Sequence, residues 1–243
     1  INEHYKQFHP KDRDKIENDS QIDIPFDKLP IPDRVFTDAK NKQWQKYGNY
    51  KFHPATHMMV SNLCWWGKCT FCMDSKKIKD GETRYVRSVD HVMEEIEDLI
   101  AHGYKEVFDD SGTLPDGEWL RGFLRAYSKN RRKLTFGCNL RLSDNDFGFM
   151  SSCCFRMVLV GIESANQETL DKIGKGTRAE NIIPILKKMS DAGLEPHITV
   201  MFGYPWENHE DAMRTVNLAR YLLTKGYAKT AQASVYSPPR TQP

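Results

Sequence analysis

Short apolar runs alternate with amphipathic helical stretches from about residue 56 onward, and this alternation restricts the possible folds more than any other feature of the sequence. The run at residues 155–163 is almost continuously apolar, as is typical of a strand buried on both faces of a sheet. A helix followed by glycine and then a strand is indicated three times, at Gly103, Gly193 and Gly226. The pattern predicts βαβ units with right-handed crossovers and a parallel sheet.

Six strands and about five connecting helices are predicted. The strands span residues 57–62, 106–110, 134–140, 155–163, 197–203 and 230–237, and the helices span residues 88–102, 116–129, 144–153, 179–192 and 210–225. Pro184 lies inside the fourth of these helices and predicts a kink or a later start. Six units are too few for a closed eightfold barrel. The predicted fold class is therefore α/β, as an open or partial barrel or as a doubly wound sheet.

The first 55 residues differ from the rest, since they are rich in Asp, Lys and Pro and show little periodicity. We interpret residues 1–55 as an extended N-terminal arm or linker with aromatic anchors such as Phe26, Phe36 and Trp44, and residues 56–243 as the core domain. The chain has 243 residues, enough for one domain and an arm. Because the first residue is isoleucine rather than methionine, we expect a piece of a longer product.

Composition excludes several classes of protein. Lys and Arg total 35 against 33 Asp and Glu, so the formal charge of +2 gives no general reason to expect a nucleic-acid partner. No apolar run approaches the roughly 20 residues that span a bilayer, and no signal peptide is visible. Six cysteines without a secretory signal favour reduced thiols and a cytoplasmic location. Three of them, Cys138, Cys153 and Cys154, fall in apparent core or helix-end segments.

Polar and ionisable residues follow the ends of the predicted strands. The carboxyl ends of parallel strands meet at one edge of a sheet, where α/β proteins bind their ligands. This edge is therefore the candidate site. In strand order its residues are Cys64, Cys69 and Cys72, then Asp109 and Asp110, then Asn139 and Arg141, then Glu163 and Ser164, and finally Gly203 and Glu207.

Cys64, Cys69 and Cys72 lie within nine residues. A structural zinc site needs four ligands, usually as two pairs, and no second pair is present. Iron–sulfur clusters are held by thiolates at this kind of spacing, and a four-iron cluster with three protein thiolates keeps one iron open. The segment favours such a cluster. A zinc knuckle completed by His53 or His57, and three unliganded cysteines, are the alternatives.

The trio, with Phe71 directly before its last cysteine, resembles the cluster loop of the radical S-adenosylmethionine (SAM) superfamily. Residues 161–176 resemble the family's fourth-strand segment and the turn after it, and residues 198–207 resemble its fifth-strand segment. The pair Asp109–Asp110 matches the second-strand end of its cobalamin-associated and methylthiotransferase-like branches. The resemblance covers about residues 56–240 and implies a partial (βα)6 TIM-like barrel. The first cysteine gap is one residue longer than the commonest family spacing, and Gly67 can absorb that residue by turning.

This resemblance implies an activity and a set of cofactors. The three thiolates would hold a four-iron four-sulfur cluster, and its open iron would bind the amino and carboxylate groups of SAM. One electron would then cleave the sulfonium and yield a 5′-deoxyadenosyl radical. For the charged groups of SAM, the resemblance implies that Asp109 or Asp110 accepts from the ammonium and that Arg141 pairs with the carboxylate. For the adenosine, it implies that Glu163 and Ser164 lie near the ribose. The backbone around Phe71 and Gly203 would lie close to the adenine.

Three of these residues also have an ordinary structural interpretation. Asp110 could cap a turn, Arg141 could form a surface ion pair, and Glu207 at the same edge could cap the next helix.

Residues 24–34 resemble the linker that joins a cobalamin-binding domain to the radical SAM domain. The resemblance therefore favours the cobalamin-associated branch, which includes methyltransferases and oxidative cyclases, with cobalamin held by a domain absent from this chain. It implies a reductant such as flavodoxin or ferredoxin and a small-molecule or other substrate that the sequence does not identify. The alternatives are a tRNA methylthiotransferase-like enzyme and a non-catalytic, zinc-stabilised binding module.

Overall fold

The computed structural model describes residues 26–34, 49–129 and 134–237 of the chain. The strands are β1 (Ala55–Met58), β2 (Glu106–Asp109), β3 (Thr135–Leu140), β4 (Phe155–Glu163), β5 (Glu195–Phe202) and β6 (Thr230–Val235). The α-helices of the described ranges are α1 (Met73–Lys79), α2 (Val89–Ala101), α3 (Glu118–Lys129), α4 (Phe147–Ser152), α5 (Gln167–Lys172), α6 (Ile182–Asp191) and α7 (His209–Thr224).

The six strands form one sheet in the order β1-β2-β3-β4-β5-β6, and every neighbouring pair is parallel. A doubly wound sheet reverses its strand order at a switch point, so that alternative is wrong. Sequential order with crossovers of one hand places the helices on one face and curls the sheet into a half-barrel. The predicted partial (βα)6 barrel is confirmed. All six residues of β6 are exposed at the edge of the sheet.

The core lies between the sheet and its helices. Val158, Val160 and Ile162 alternate along β4 and are fully buried, as are Ile96 and Leu99 on the inner side of α2. Spacings of two on the strand and of three on the helix bring these side chains into one layer. Each such side chain contributes about 1.5–3 kcal/mol by burial. Residues at the strand ends do not belong to this alternating layer and are therefore available to form a site.

Most element boundaries follow the sequence pattern. The Ser88 side chain accepts the His91 N–H and caps α2. A short 3₁₀ segment, Ala179–Asn181, precedes α6, so Pro184 falls in the first turn, where proline is tolerated. The predicted later start is confirmed. The first strand is displaced, because β1 spans Ala55–Met58 rather than residues 57–62. The sequence analysis did not predict α1 and α5, each of which is shorter than two helical turns.

The described part of the arm, residues 26–34, lies along β1 and α2. Phe26 makes an edge-to-face contact with Tyr85 at a centroid distance of 5.9 Å, and Asp27 Oδ1 accepts the Ser88 N–H at 2.8 Å. Arg34 donates to the buried Glu95 carboxylate. Phe26 therefore acts as an anchor, as predicted. Phe36 and Trp44 lie outside the described residues.

At the amino end of the sheet, residues 49–54 are held by a group of ion pairs that we call the amino-end network. Arg156 donates to Glu106, to Glu195 Oε2 at 2.6 Å and to Asn49 O at 2.7 Å. The second Glu106 oxygen accepts the backbone N–H groups of Lys51 and Phe52 at 2.8 and 2.9 Å. The network ties three strands to the segment before β1.

The helices of the described ranges include none that combines the length and the apolar character needed to cross a membrane.

Candidate functional site

Residues 64–72, here called the cysteine loop, connect the end of β1 to α1. Cys69 is 8% exposed, Cys64 and Cys72 are half-buried, and all three thiols are free. Cys72 occupies the N-cap position of α1. The Cys64 N–H donates to Asp74 Oδ2 at 2.9 Å, so the first turn of α1 folds back on the start of the loop. The loop therefore presents three thiols from a short, internally bonded segment.

Gly112, in the turn after β2, lies directly against this loop. A Cβ atom at this position would overlap Asp74 Oδ2 and lie 3.2 Å from Cys64 Cβ. Only glycine leaves enough space for the turn and the loop to pack this closely. The second strand end and the cysteine loop thus share one small region.

Residues 173–177, here called the Gly-Lys-Gly loop, pack against the other side of the cysteine loop. Thr70 N–H donates to Ile173 O at 2.9 Å, and the Trp66 indole N–H donates to Gly174 O at 2.8 Å. Gly176 has φ +66°, and a Cβ there would overlap the Trp66 ring. Trp66 belongs to the four-residue gap between Cys64 and Cys69. The long gap therefore supplies an aromatic side chain that fills the contact between the two loops.

Two cations are placed beside the cysteine loop. The Arg141 guanidinium lies 4.1 Å from the centroid of the Trp66 ring and donates to Lys175 O at 2.7 Å. The Lys175 ammonium lies 2.7 Å from Glu163 Oε1 in a buried ion pair. Burial raises the pKa of the Cys69 thiol, and the positive charges of Lys175 and Arg141 oppose that rise. These two positive charges therefore make the thiolate form of Cys69 more favourable than it would be if burial acted alone.

Glu163 ends β4 in a left-handed conformation, with φ 58°. Such a conformation is unfavourable for a residue with a side chain and is found mainly where surrounding contacts enforce it. Here the bond to Lys175 holds the carboxylate. Gly161, on the same face of β4, makes room for both groups, because a Cβ there would lie 2.7 Å from Lys175 Nζ and would overlap Glu163 Oε1.

The two aspartates at the end of β2 occupy different places. Asp109 shares a strand face with Val107, which packs in the helix-side core, and is fully buried. Its Oδ1 accepts the Val60 N–H at 3.0 Å and the Ser111 hydroxyl at 2.6 Å. Burial raises the pKa of Asp109 to about 6. Asp110 is exposed and lines a cavity next to Arg34, in the arm. The structure therefore separates the two.

Ser164, predicted near the ribose of SAM, is fully buried behind the end of β4. Its hydroxyl accepts the Asn166 N–H at 3.1 Å and lies 3.4 Å from Thr215 Oγ1 on α7. The Ala165 N–H donates to the same Thr215 oxygen at 3.0 Å. These contacts connect the end of β4 to α7.

Phe71 and Gly203, both predicted to contact adenine, border one apolar group. Phe71 packs against the cluster of Leu170, Ile173 and Tyr204. Gly203 has φ +82°, a conformation that favours glycine, and its N–H donates to Glu207 Oε2 at 2.6 Å. The structure therefore brings the cysteine loop and the end of β5 together on either side of Tyr204.

Lys175 is a site residue that the sequence analysis did not single out, whereas Tyr204 follows the predicted fifth strand at the candidate edge and was given no role there. The Tyr204 ring stacks on Trp206 at a centroid distance of 5.5 Å, and its hydroxyl is a buried atom with no hydrogen-bond partner among the described residues. Glu207 Oε1 is also buried and has no hydrogen-bond partner among the described residues. Burial raises the pKa of Tyr204, and the Glu163 and Glu207 carboxylates add to the rise. A donor and an acceptor thus stand ready for a ligand beside aromatic rings.

The side chains that the site offers as metal ligands are thiols. Within the described ranges, no three His, Cys, Asp or Glu side chains converge as ligands of a single metal ion. His57 is instead bonded to the Tyr50 hydroxyl at 2.7 Å. A cluster differs from a single ion because each thiolate binds a separate iron. The three cysteines fit that requirement in type, in number and in their placement on one loop.

A parallel six-stranded half-barrel with three thiols on its first loop defines a class of iron–sulfur protein. Residues 58–219 match the model of the radical SAM superfamily, and the chain belongs to that family.

Two curated proteins are similar in sequence. The chain is 28% identical over 236 residues to an uncharacterised methyltransferase of Pyrococcus horikoshii, which covers 92% of this chain and 46% of that protein. It is 26% identical over 186 residues to a protein of Methanocaldococcus jannaschii that carries a methylthiotransferase name, with 68% and 37% covered. The chain therefore spans less than half the length of these two relatives.

Solved structures share the fold. The radical SAM methyltransferase TsrM of Kitasatospora setae, solved with cobalamin and a [4Fe-4S] cluster, superposes with a TM-score of 0.64 at 18% identity, over 74% of this chain and 34% of TsrM. The cobalamin-dependent radical SAM enzyme OxsB superposes with a TM-score of 0.56 at 18% identity, over 66% and 26%. At these identities the likeness concerns the fold.

Proposed function

We propose that the chain is the catalytic core of a radical SAM enzyme that transfers a methyl group to a small-molecule substrate. The observation that carries the proposal is the packing of the cysteine loop between Gly112 and the Gly-Lys-Gly loop, which holds three thiols at the carboxyl end of the half-barrel. Membership of the family supplies the reaction class.

Cys64, Cys69 and Cys72 are the proposed ligands of a four-iron four-sulfur cluster. Arg141 and Lys175 would balance part of its negative charge, since both already act on the Cys69 thiol. When bound and reduced, such a cluster supplies the electron that breaks a carbon–sulfur bond of SAM. The protein's own residues hold both groups and keep water away from them.

The SAM site is proposed between the cysteine loop and the end of β5. Glu163 would accept from ribose hydroxyls, and Phe71 and Gly203 would border the adenine. The buried Tyr204 hydroxyl and Glu207 Oε1 add a donor and an acceptor there. We propose Arg141 for the carboxylate of SAM. Asp110 is the aspartate with an exposed side chain and is proposed for the ammonium, whereas Asp109 supports the strand end.

The finer assignment follows the relatives. The Pyrococcus horikoshii protein is named as a methyltransferase, and TsrM and OxsB bind or depend on cobalamin. We therefore propose a cobalamin-assisted methyl transfer, with cobalamin held outside the residues described. We also propose a reductant such as flavodoxin or ferredoxin and a cytoplasmic location. The methylthiotransferase name of the second relative makes methylthiolation the second candidate.

The test uses the full 243-residue chain, reconstituted anaerobically with iron and sulfide. SAM and dithionite are added, and 5′-deoxyadenosine and S-adenosylhomocysteine are measured by mass spectrometry. We expect 5′-deoxyadenosine from the wild-type and Cys138→Ala chains and none from Cys69→Ala, because Cys138 is buried in the helix-side core. S-adenosylhomocysteine formed in the presence of added cobalamin supports methyl transfer.

Two results would count against this assignment. A chain that binds about four irons but forms no 5′-deoxyadenosine does not cleave SAM reductively. A chain that takes up zinc in place of iron would support the non-catalytic binding module.

A further inference from the structure

We propose that Lys175 is a positioning residue that raises the reduction potential of the cluster held by Cys64, Cys69 and Cys72, and that Glu163 lowers it as the other half of a buried ion pair. This inference rests on the proposed function, because it requires the cluster. It goes beyond that function by giving a measurable electrostatic role to the Gly-Lys-Gly loop.

Backbone contacts fix Lys175 next to Cys69, the most buried thiol of the cysteine loop. A Cβ on Gly174 would lie 2.6 Å from Lys68 O and 3.9 Å from Cys69 Cα, so the two chains touch at this point. Thr70 N–H donates to Ile173 O at 2.9 Å on the same side. The residue after Gly174 therefore cannot move away from the cysteine loop without breaking these contacts.

The Lys175 side chain is enclosed. The residue is 9% exposed, and its ammonium lies 2.7 Å from Glu163 Oε1. Gly161 leaves the space that both groups occupy. Charges in such an environment are weakly screened by solvent and act more strongly on their neighbours than surface charges do.

Reduction adds one negative charge to a cluster whose protein ligands are already anionic. A nearby fixed cation stabilises the reduced form and raises the potential, whereas a nearby carboxylate does the opposite. Lys175 follows Gly174, which packs directly on the cysteine loop, and its ammonium lies 2.7 Å from Glu163 Oε1, so both charges are fixed beside the proposed cluster ligands. Lys175 and Glu163 are thus expected to change the potential in opposite directions.

The packing of the loop does not depend on the ammonium group. Its anchors are the carbonyl oxygens of Ile173, Gly174 and Lys175, which accept from Thr70, Trp66 and Arg141 respectively. A change of the Lys175 side chain leaves these backbone acceptors in place. A buried ion pair is also a weak source of stability compared with apolar side chains of similar size. Charge is therefore the property of this pair that the site uses.

The experiment measures the midpoint potential of the reconstituted cluster in the full chain by dye-mediated titration followed by electron paramagnetic resonance. The variants are Lys175→Met, Lys175→Arg and Glu163→Gln, and Lys172→Met is the control because its side chain is 42% exposed on α5. Iron content is measured on each sample first.

We expect Lys175→Met to make reduction about tenfold less favourable, a shift of about 59 mV to more negative potential for one electron. Glu163→Gln should shift the potential to more positive values, and Lys175→Arg and Lys172→Met should match the wild type. A loop that had merely loosened would change the first two variants in the same direction, since water reaches the cluster in both.

Unchanged potentials, or shifts of one sign in Lys175→Met and Glu163→Gln, would overturn the inference. If Lys175→Met fails to retain iron, Glu163→Gln decides alone, and the absence of a positive shift overturns it. Failure of the proposed function is distinguishable, because a wild-type chain that holds no iron, or that holds iron but forms no 5′-deoxyadenosine, is identified before any variant is compared.

Discussion

At the amino end of the sheet, Arg156 bonds to Glu106, Glu195 and the backbone of Asn49, whereas the carboxyl end leaves buried polar atoms without partners among the described residues. At the carboxyl end these atoms include the Tyr204 hydroxyl and Glu207 Oε1, while His197 Nε2, near the start of β5, is a buried atom of this kind toward the amino end. The carboxyl end also contains the left-handed Glu163. An unpaired buried polar group costs about 1–3 kcal/mol. The amino end is therefore organised for stability, and the carboxyl end keeps groups available for ligands.

The largest expected effect is at the carboxyl end. Cys69→Ala removes the most buried thiol of the cysteine loop, and we expect loss of the cluster together with its visible absorption, because two thiolates remain where three are needed. Cys138→Ala, in the helix-side core, should keep the iron. Iron and sulfide analysis after anaerobic reconstitution measures both. Full iron retention in Cys69→Ala would remove the basis of the comparison between the two ends.

The next effect is at the amino end. Arg156→Met removes the cation beside the buried Glu106 carboxylate, whose other contacts are the backbone N–H groups of Lys51 and Phe52, and leaves Glu195 only its pair with Lys51. We expect the free energy of unfolding in urea to fall by about 3–5 kcal/mol, because Glu106 then stays buried without a cation. Lys188→Met, which breaks the exposed pair with Asp144, is the control and should change it by less than about 1 kcal/mol. A small effect of Arg156→Met would mean that the amino-end network does not stabilise the fold.

A pH-dependent effect is expected at Asp109. Its pKa is raised to about 6 from 3.8, so the folded state holds a proton more tightly than the unfolded chain. The free energy of unfolding should therefore fall as pH rises from about 4 to about 6, by roughly 3 kcal/mol, and level off above that range.

Asp109→Asn cannot ionise and should lack this part of the pH dependence. Urea unfolding of both chains at several pH values measures the difference. Parallel pH profiles for the two chains would show that Asp109 does not cause the slope.

The smallest expected effect is found by comparing two glycines with positive φ, of which Gly176 is packed against a side chain and Gly103 is not. Gly176→Ala would force a methyl group into the Trp66 ring at φ +66°, and we expect a loss of about 1–3 kcal/mol of stability with weaker iron retention. Gly103→Ala has a similar φ of +79° but no atom within 4 Å, so it should cost about 1 kcal/mol and keep the iron. If both variants retain the same amount of iron, the packing of the Gly-Lys-Gly loop on Trp66 does not contribute to cluster binding.

The sequence predicted the strands well because each depends on a short local pattern. The bounds of β4, Phe155–Glu163, agree at both ends with the continuous apolar run. The short helices α1 and α5 were not predicted, and α4, which also has six residues, was predicted too long, over residues 144–153. Six or seven residues make at most two turns, so the periodicity that defines a helix is weak in all three. The first strand was displaced because Met59 and Val60 continue the apolar run after Met58. In the structure the Val60 and Ser61 N–H groups donate to the side chains of Asp109 and Ser111, so the strand has already ended there.

The sequence alone was enough to single out the three cysteines as candidate ligands, but not to predict the contacts that support their loop. The spacing of the three cysteines is local, whereas the ion pair of Lys175 with Glu163 and the packing of the Gly-Lys-Gly loop on Trp66 depend on tertiary structure. The two glycines around Lys175 were the available signal. The alternation of side chains along β2 could also have predicted that Asp109 and Asp110 are placed differently. Asp109 is two residues from Val107 and therefore shares its buried face.

The sequential strand order has a consequence for biosynthesis. Each strand pairs with the one before it, so the sheet can extend while the chain is still being made. Trp66 and Gly174 are 108 residues apart, however, and at 5–20 residues per second the ribosome needs roughly 5–20 s to cover that distance. During this interval the thiols lack the loop that supports them. Iron delivery is therefore best timed after the fourth strand and its turn have left the ribosome.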